Sequence, residues 1–502
     1  MSSDMTLQDR ILRGYRAARD LPVAVEDSLP DGATAVIYVL APGEAPAGGV
    51  VTVEQLAALG FAGGPGDLLA LPGSPVVLLA GVGEGASDAT RFVSDADAHA
   101  AAVRDAVGLA SRRAGDLVTI AVVLNGTPSA GDVQAAVEGA VLARYSFDAL
   151  RETPKGRPLA SLTIVSPGAA LADAEMGRAS AAATVLARDL ANTPHSHMNA
   201  TTFAEIAVVL AGESGIEAEV WDGDRIRQEG LGGVLAINAG SAEPPRVVRL
   251  TYIPQGEPSG HLALVGKGIM YDSGGIGLKD NNDSHAQMKS DMTGAANILG
   301  AMLALPAAGG SAEVTGYLMC TDNMPSATAT ALGDVTVMRG GRTVEIVDTD
   351  AEGRMVMADG IVLATEEEPD AIVDIATLTG HMSRALGPKI AGTVGSDQRV
   401  VEALRAAGSA AGEPLWQMPL AEVYRSHLES PVADQRNVAP LGIPDGIIAS
   451  LFLQSFAGDV PWGHVDIAGV AWNGGTSGWQ SEGCSAFGAR LLLGFAKGFS
   501  LA

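Results

Sequence analysis

Four carboxylates from three short segments stand where this chain could do chemistry. Asp350 and Glu352 close the run Glu345-Ile346-Val347-Asp348-Thr349-Asp350-Ala351-Glu352-Gly353-Arg354, an apolar-rich stretch that ends in acids, a glycine and an arginine. Such a stretch suits a buried strand of an α/β sheet, and ligands of these sheets bind just beyond the carboxyl ends of strands. A surface turn with solvated acids explains the same run less well, because a second cluster needs the same explanation. Asp272 lies in Gly266-Lys267-Gly268-Ile269-Met270-Tyr271-Asp272-Ser273-Gly274-Gly275-Ile276-Gly277-Leu278-Lys279, where two lysines and one aspartate are set among five glycines. The G-x-x-x-x-G-K-[ST] spacing of a phosphate loop is absent, and an aspartate there repels phosphate. Asp291 follows in Gln287-Met288-Lys289-Ser290-Asp291-Met292-Thr293-Gly294-Ala295-Ala296, at the front of an expected helix.

Carboxylate oxygens suit Mg²⁺ and Mn²⁺, and Zn²⁺ accepts them as well. Asp272, Asp291, Asp350 and Glu352 are enough acids to hold two divalent ions with bridging carboxylates. Such a pair activates a water for displacement at a carbonyl or phosphoryl centre. Lys279 and Arg354 are the cations available to a developing oxyanion.

Those residues need a scaffold, and 502 residues are more than one ordinary domain supplies. The composition is 47% hydrophobic and 18% charged, rich in Gly and Ala and with only 4% aromatics, which favours close-packed α/β layers. Apolar runs at 33–40, 74–80, 117–124 and 161–165 predict strands, and 94–113 and 132–145 predict helices. They make an N-terminal α/β domain over 1–170. An alanine-rich helix, 171–191, links it to a larger α/β domain over 192–502, whose central mixed sheet is flanked by helices. Strands are expected there at 247–252, 262–266, 313–320, 343–347, 371–375 and 464–470.

The net charge of −26 disfavours nucleic acid or an anionic membrane as a partner. The first residues lack a basic segment followed by an apolar one, and no run of eighteen apolar residues occurs, so a cytoplasmic location without a membrane span is expected. Two cysteines, Cys320 and Cys484, give no CxxC spacing, so thiolate zinc sites are not expected.

Asp348-Thr349-Asp350-Ala351-Glu352-Gly353-Arg354 resembles the N-T-D-A-E-G-R signature of the leucyl aminopeptidase family, the cytosolic aminopeptidases. The 266–279 and 288–296 segments are similar to that family's two preceding metal segments. Further likenesses are Ala187-Arg188-Asp189-Leu190-Ala191-Asn192-Thr193-Pro194, Ala376-Thr377-Leu378-Thr379-Gly380 and Trp462-Gly463-His464-Val465-Asp466-Ile467-Ala468-Gly469, so the similarity spans about 187–495. The first 170 residues match only in layout.

The resemblance implies a metal-dependent aminopeptidase that releases N-terminal residues from peptides. Lys267, Asp272, Asp291 and Glu352 would hold one metal ion, and Asp272, Asp350 and Glu352 the other. Asp272 and Glu352 would bridge two Zn²⁺ or Mn²⁺ ions. Lys279 would polarise the scissile carbonyl, and Arg354 would position a bicarbonate ion as general base. Met288 and Thr377 would shape the pocket for the first side chain. A homohexamer is implied too. A Cys-Gly or other dipeptidase of the same family and a non-catalytic binding member are the alternatives; retention of every metal position disfavours the second.

Some residues depart from the pattern or fall outside it. Asp348 stands where asparagine is usual and Met355 where leucine is, and Cys484-Ser485-Ala486-Phe487-Gly488 replaces the usual run. Asp348 is expected to tighten metal binding or to favour basic N-termini. His464 and Asp466 read as structural, His195 and His197 as loop residues, and Gly81-Val82-Gly83-Glu84-Gly85-Ala86 as a tight turn without a dinucleotide role.

Overall fold

The computed structural model describes residues 6–83 and 94–501. Glu84 to Ala86 of the glycine turn, and the first five residues of the chain, therefore lie outside the described residues. Two compact units emerge. One takes the chain up to Asp189, with Ser409–Gly412 and Asn473–Ser485; the other takes Leu190–Gly408, Glu413–Trp472 and the residues from Ala486.

In the first unit, β1 (Val23–Glu26), β2 (Ala35–Leu40), β3 (Leu68–Leu71), β4 (Val76–Gly81), β5 (Thr119–Leu124) and β6 (Ser161–Val165) form one sheet in the order β1-β6-β5-β2-β4-β3. Only the β3–β4 pairing is antiparallel. The four inner strands are the four that the apolar runs predict. Burial on both faces demands a continuous apolar run, and every residue of β2 is buried. The edge strands β1 and β3 have no fully buried residue, so they leave no such run to read. Helices Asp95–Arg113 and Ala130–Leu142 start at Ser94 and Ser129, whose hydroxyls accept the backbone N–H groups of Asp97 and Asp132. The two helices are joined by a buried ion pair, Arg104 Nε to Glu138 Oε2 at 2.6 Å.

The second unit is built on an eight-stranded mixed sheet. Its strands, in chain order, are β7 (Glu217–Trp221), β8 (Arg246–Tyr252), β9 (His261–Asp272) and β10 (Glu313–Asn323), then, past a small separate sheet, β13 (Ala371–Ala376), β14 (Ala391–Gly395), β15 (Leu415–Gln417) and β17 (Trp462–Asp466). The order is β15-β14-β17-β13-β9-β10-β8-β7, with β17, β13, β9 and β10 running parallel. The small sheet consists of β11 (Val335–Val337), β12 (Thr343–Glu345) and β16 (Gln435–Arg436). The acidic run therefore does not leave a strand of the central sheet, as 343–347 suggests. It leaves a three-residue strand of the accessory sheet and turns directly into the helix Glu352–Thr365. Among the described residues, no helix is long and apolar enough to cross a membrane.

β9 is also longer than 262–266. It runs on through Lys267 to Asp272, so the first half of the glycine segment is strand and not loop. Gly266 makes this possible: a Cβ there would lie 2.8 Å from Ala295 Cα in the helix Thr293–Ala308. Near its end the register against β10 slips. Ile269 pairs with Thr321 and Asp272 with Asn323, three residues against two. Residues five apart on a regular strand point to opposite faces, and the bulge cancels that parity for Lys267 and Asp272.

Candidate active site

The parallel strands deliver their carboxyl ends to one place, the position where open α/β sheets bind ligands. Lys267 and Asp272 come from β9, Asn323 from the end of β10 and Thr377 from just beyond β13. Asp291 precedes the helix Thr293–Ala308, and Glu352 opens the helix Glu352–Thr365. All but Asn323 line a cavity of about 600 Å³, together with Lys279, Met288, Asp348, Asp350, Arg354 and Asp445.

Asp272, Asp350 and Glu352 each offer a carboxylate oxygen, and the three atoms lie within 4.8 Å of one another. Two lysines thread this acid cluster. Lys267 Nζ is 2.6 Å from Glu352 Oε1, 2.8 Å from Asp291 Oδ2 and donates to Thr377 O at 2.8 Å. Lys279 Nζ is 2.8 Å from Asp272 Oδ2 and 2.5 Å from Asp350 Oδ1. Asp291 stands beside the triad and not in it; its Oδ1 accepts the Thr377 hydroxyl at 2.6 Å. Gly353 lets Lys267 in, because a Cβ at 353 would meet Lys267 Nζ and Cε at 2.7 Å.

The electrostatics follow from so many charges in a dry place. Burial alone lowers the pKa of Lys267, but Asp291, Glu352 and Asp272 outweigh it and hold the ammonium. Lys279 follows the same balance with Asp272, Glu352 and Asp350. Burial, reinforced by Asp272 and Glu352, pushes the Asp350 carboxyl up to about 6. Glu352 is raised by burial and by Asp272, and Asp291 by burial and then by Glu352 and Asp272. Carboxylates this crowded demand cationic company. Glu352 Oε2 is buried with no hydrogen-bond partner among the described residues, an orphan acceptor inside the triad. Hard oxygen donors at this spacing with an unmet acceptor fit divalent cations, and adjacent dications would reverse the balance that keeps Lys267 protonated.

Several residues without a sequence signal support this centre. Asn323 Nδ2 donates to Asp272 Oδ1 at 2.8 Å and to Thr349 O at 2.9 Å. Asn437 Nδ2 donates to Asp348 O at 2.7 Å, and its Oδ1 accepts from Val347 N at 2.9 Å. Asp348 Oδ1 accepts the Asp350 backbone N–H at 2.8 Å, which shapes the turn; asparagine can form the same bond. Arg354, 2% exposed, donates from Nη1 to Asn437 O and from Nη2 to Asp445 Oδ1, both at 2.8 Å. Nothing in the spacing of the acidic run points to residues about ninety positions later.

His464 and Asp466 brace the scaffold. His464 Nδ1 lies 2.6 Å from Asp374 Oδ1, and Trp462 Nε1 donates to Asp374 Oδ2 at 2.7 Å. Asp466 accepts from Thr379 N and Oγ1, which fixes the turn after β13. His195 Nε2 pairs with Asp322 at 3.0 Å.

Comparison with known proteins agrees with this geometry. The catalytic-domain model of the cytosol aminopeptidase family matches residues 185–493. Its N-terminal-domain model matches residues 48–154, so the kinship extends into the part whose sequence resembles the family only in layout. A probable cytosol aminopeptidase of Leifsonia xyli subsp. xyli is 41% identical over 89% of this chain and 90% of its own length. One from Micrococcus luteus is 39% identical over 95% of this chain and 99% of its own. Among solved structures, the bottromycin maturation enzyme BotP in complex with Mn superposes with a TM-score of 0.83 at 36% identity, covering 93% of this chain and 99% of that one. Family-model matches to both domains, relatives about 40% identical along most of the chain and a carboxylate–lysine centre at the strand ends lead to one conclusion: this chain belongs to the cytosol aminopeptidase family of peptide hydrolases.

Proposed function

We propose that the chain is a two-metal aminopeptidase that releases N-terminal residues from peptides. The observation that carries this reading is the triad of Asp272, Asp350 and Glu352, closed to 4.8 Å and crossed by two lysines at the wall of the cavity. Lys267, Asp272, Asp291 and Glu352 would hold one divalent ion and Asp272, Asp350 and Glu352 the other. Two ions bound there supply a deprotonated water and charge compensation at the scissile carbonyl. Mn²⁺ is favoured by the relative solved with Mn, and Zn²⁺ suits the same donors.

The protein's own groups do the rest. Lys279 reaches the centre from the glycine turn and donates to the carbonyl oxygen as negative charge builds there. The acid cluster receives the free amine of the substrate, which restricts cleavage to the first peptide bond. Met288 and Thr377 wall the space for the first side chain. The resemblance supplies bicarbonate on Arg354 as the base, and Asp445 shares that guanidinium. A cytoplasmic homohexamer acting on peptides completes the reading.

Purified chain is assayed with Mn²⁺ or Zn²⁺ against a panel of aminoacyl chromogenic substrates, with Glu352→Ala as control. Metal-dependent release that chelation removes and Glu352→Ala lacks is expected. No metal-dependent release from any substrate overturns the proposal.

A further inference from the structure

The cavity that holds the acid cluster also has a basic wall. Among the described residues, the lysine and arginine side chains that line it are Lys267, Lys279, Arg354 and Arg384. The first three each lie within 2.8 Å of a carboxylate oxygen. Arg384 is exposed and makes no hydrogen bond or close ion pair among the described residues. The acid near it is already committed: Asp445 Oδ1 accepts from Arg354 Nη2 at 2.8 Å, and its Oδ2 lies 3.9 Å from His381 Nδ1. Burial opposes ionisation of Asp445, but Arg354, then His381 and Arg384, hold its carboxyl below the usual range. This wall therefore carries more positive charge than it pairs internally. We propose that Arg384 binds the C-terminal carboxylate of di- and tripeptides, which makes short free peptides the substrates this enzyme prefers. The proposal rests on the aminopeptidase reading above.

The simpler role for Arg384 is that of a cation in the last turn of the helix Gly380–Leu386, favoured by the helix dipole. Its side chain goes the other way. Helical side chains lean toward the N-terminus, and Arg384 reaches back until Nη2 lies 3.9 Å from where a Cβ on Gly380 would stand. Gly380 follows Thr377 by three residues, and Thr377 belongs to the acid cluster. Its hydroxyl bonds to Asp291 Oδ1 at 2.6 Å, and its carbonyl accepts from Lys267 at 2.8 Å. Three residues span at most about 11 Å, and an extended tripeptide is about as long. The guanidinium thus stands about one short peptide away from the acids.

A short free peptide carries an amine at one end and a carboxylate at the other. The cavity offers the acid cluster to the first and the guanidinium of Arg384 to the second. Guanidinium matches a carboxylate with two parallel N–H donors, a geometry that a peptide bond or a terminal amide does not complete. The carboxylate belongs to the leaving portion of the substrate and is far from the bond that breaks. Its contact with Arg384 is therefore the same before and during the reaction, and acts on KM more than on kcat.

The test pairs each free peptide with its C-terminal amide, X being the first residue that the chromogenic panel favours. X-Gly and X-Gly-Gly are compared with X-Gly-NH₂ and X-Gly-Gly-NH₂, and X-Asp-NH₂ with X-Asn-NH₂. The proteins are the Mn²⁺-loaded wild type, Arg384→Gln and Arg384→Glu, and the readout is the acid-to-amide ratio of kcat/KM within each protein. The wild type is expected to favour the free acids by at least about tenfold, the worth of a hydrogen bond to a charged group, and to do so through KM. Arg384→Gln is expected to abolish this preference and Arg384→Glu to invert it. Equal cleavage of acid and amide by the wild type, an unchanged ratio in Arg384→Gln, or a variant inactive on both members of a pair overturns the assignment. Discrimination confined to X-Asp-NH₂ over X-Asn-NH₂ shows that a side-chain carboxylate is bound instead, and overturns the C-terminal assignment. A wild type inactive on every peptide and amide overturns the aminopeptidase reading itself.

Discussion

Asn323 holds two acid-bearing segments together with one amide: its Nδ2 donates to Asp272 Oδ1 at 2.8 Å and to Thr349 O at 2.9 Å. Its own carbonyl accepts from Ser273 N and Oγ, so the end of β10 clamps the end of β9 from both sides. Groups that orient a ligand typically matter about 10–100-fold in metal affinity. Asn323→Ala is expected to weaken Mn²⁺ binding by about that factor while leaving the fold intact. Calorimetric titration that returns the wild-type Kd for the variant removes this role.

Gly353 gives a second prediction. A methyl group there would meet Lys267 Nζ and Cε at 2.7 Å, and Lys267 is boxed by Glu352, Asp291 and Thr377 O. Overpacking of this kind costs about 1–3 kcal/mol. Gly353→Ala is expected to lower the thermal midpoint and to weaken metal binding together. A variant with both unchanged shows that the lysine has another place to go.

A pH effect is expected far from the acid centre. Asp189 is buried, and burial raises its carboxyl to about 8; the backbone N–H of Tyr15 bonds to it at 3.0 Å. The folded pKa lies above the ordinary 3.8, so the folded chain binds this proton more tightly than the unfolded one. The resulting stability is complete below about pH 4 and is lost as pH rises through about 8. Asp189→Asn keeps an acceptor for Tyr15 but does not titrate. The wild-type midpoint should fall relative to Asp189→Asn between pH 5 and pH 9, and a gap that stays constant with pH counts against it.

The pair of Arg104 and Glu138 supplies a test in the first unit. Both are nearly fully buried, and Glu138 also accepts from Ser180 Oγ at 2.6 Å. Removing one member of a buried pair strands the other and costs about 3–5 kcal/mol. Glu138→Ala should therefore destabilise the chain by about that amount in urea titration, and far more than the double replacement Arg104→Met, Glu138→Leu. Equal losses would show that packing, not charge, sets the cost.

What the sequence made legible follows from what each signal encodes. The inner strands β2, β4, β5 and β6 are readable because double-sided burial forces a continuous apolar run, whereas β1 and β3 satisfy one edge and leave no pattern. The acids and lysines of the site announced themselves by crowding within short segments. Asn323, Asn437 and Asp445 did not, since each reaches the centre by tertiary contact from a segment with no charge cluster of its own. The expectation that 343–347 belongs to the central sheet failed because apolar alternation shows that a strand is half-buried and not which sheet it joins.

The slip between β9 and β10 makes the spacing from Lys267 to Asp272 a matter of counting. A substitution at Met270 or Tyr271 leaves the number of residues unchanged, and with it the side on which each acid and amine emerges. Deleting either residue alone takes out the extra residue, and Lys267 and Asp272, then four apart on an unbulged strand, again share a face of the sheet. The segment should thus tolerate a change of length only where the bulge changes with it, so a deletion or insertion that leaves the bulge in place turns one group away while a replacement at Met270 or Tyr271 does not.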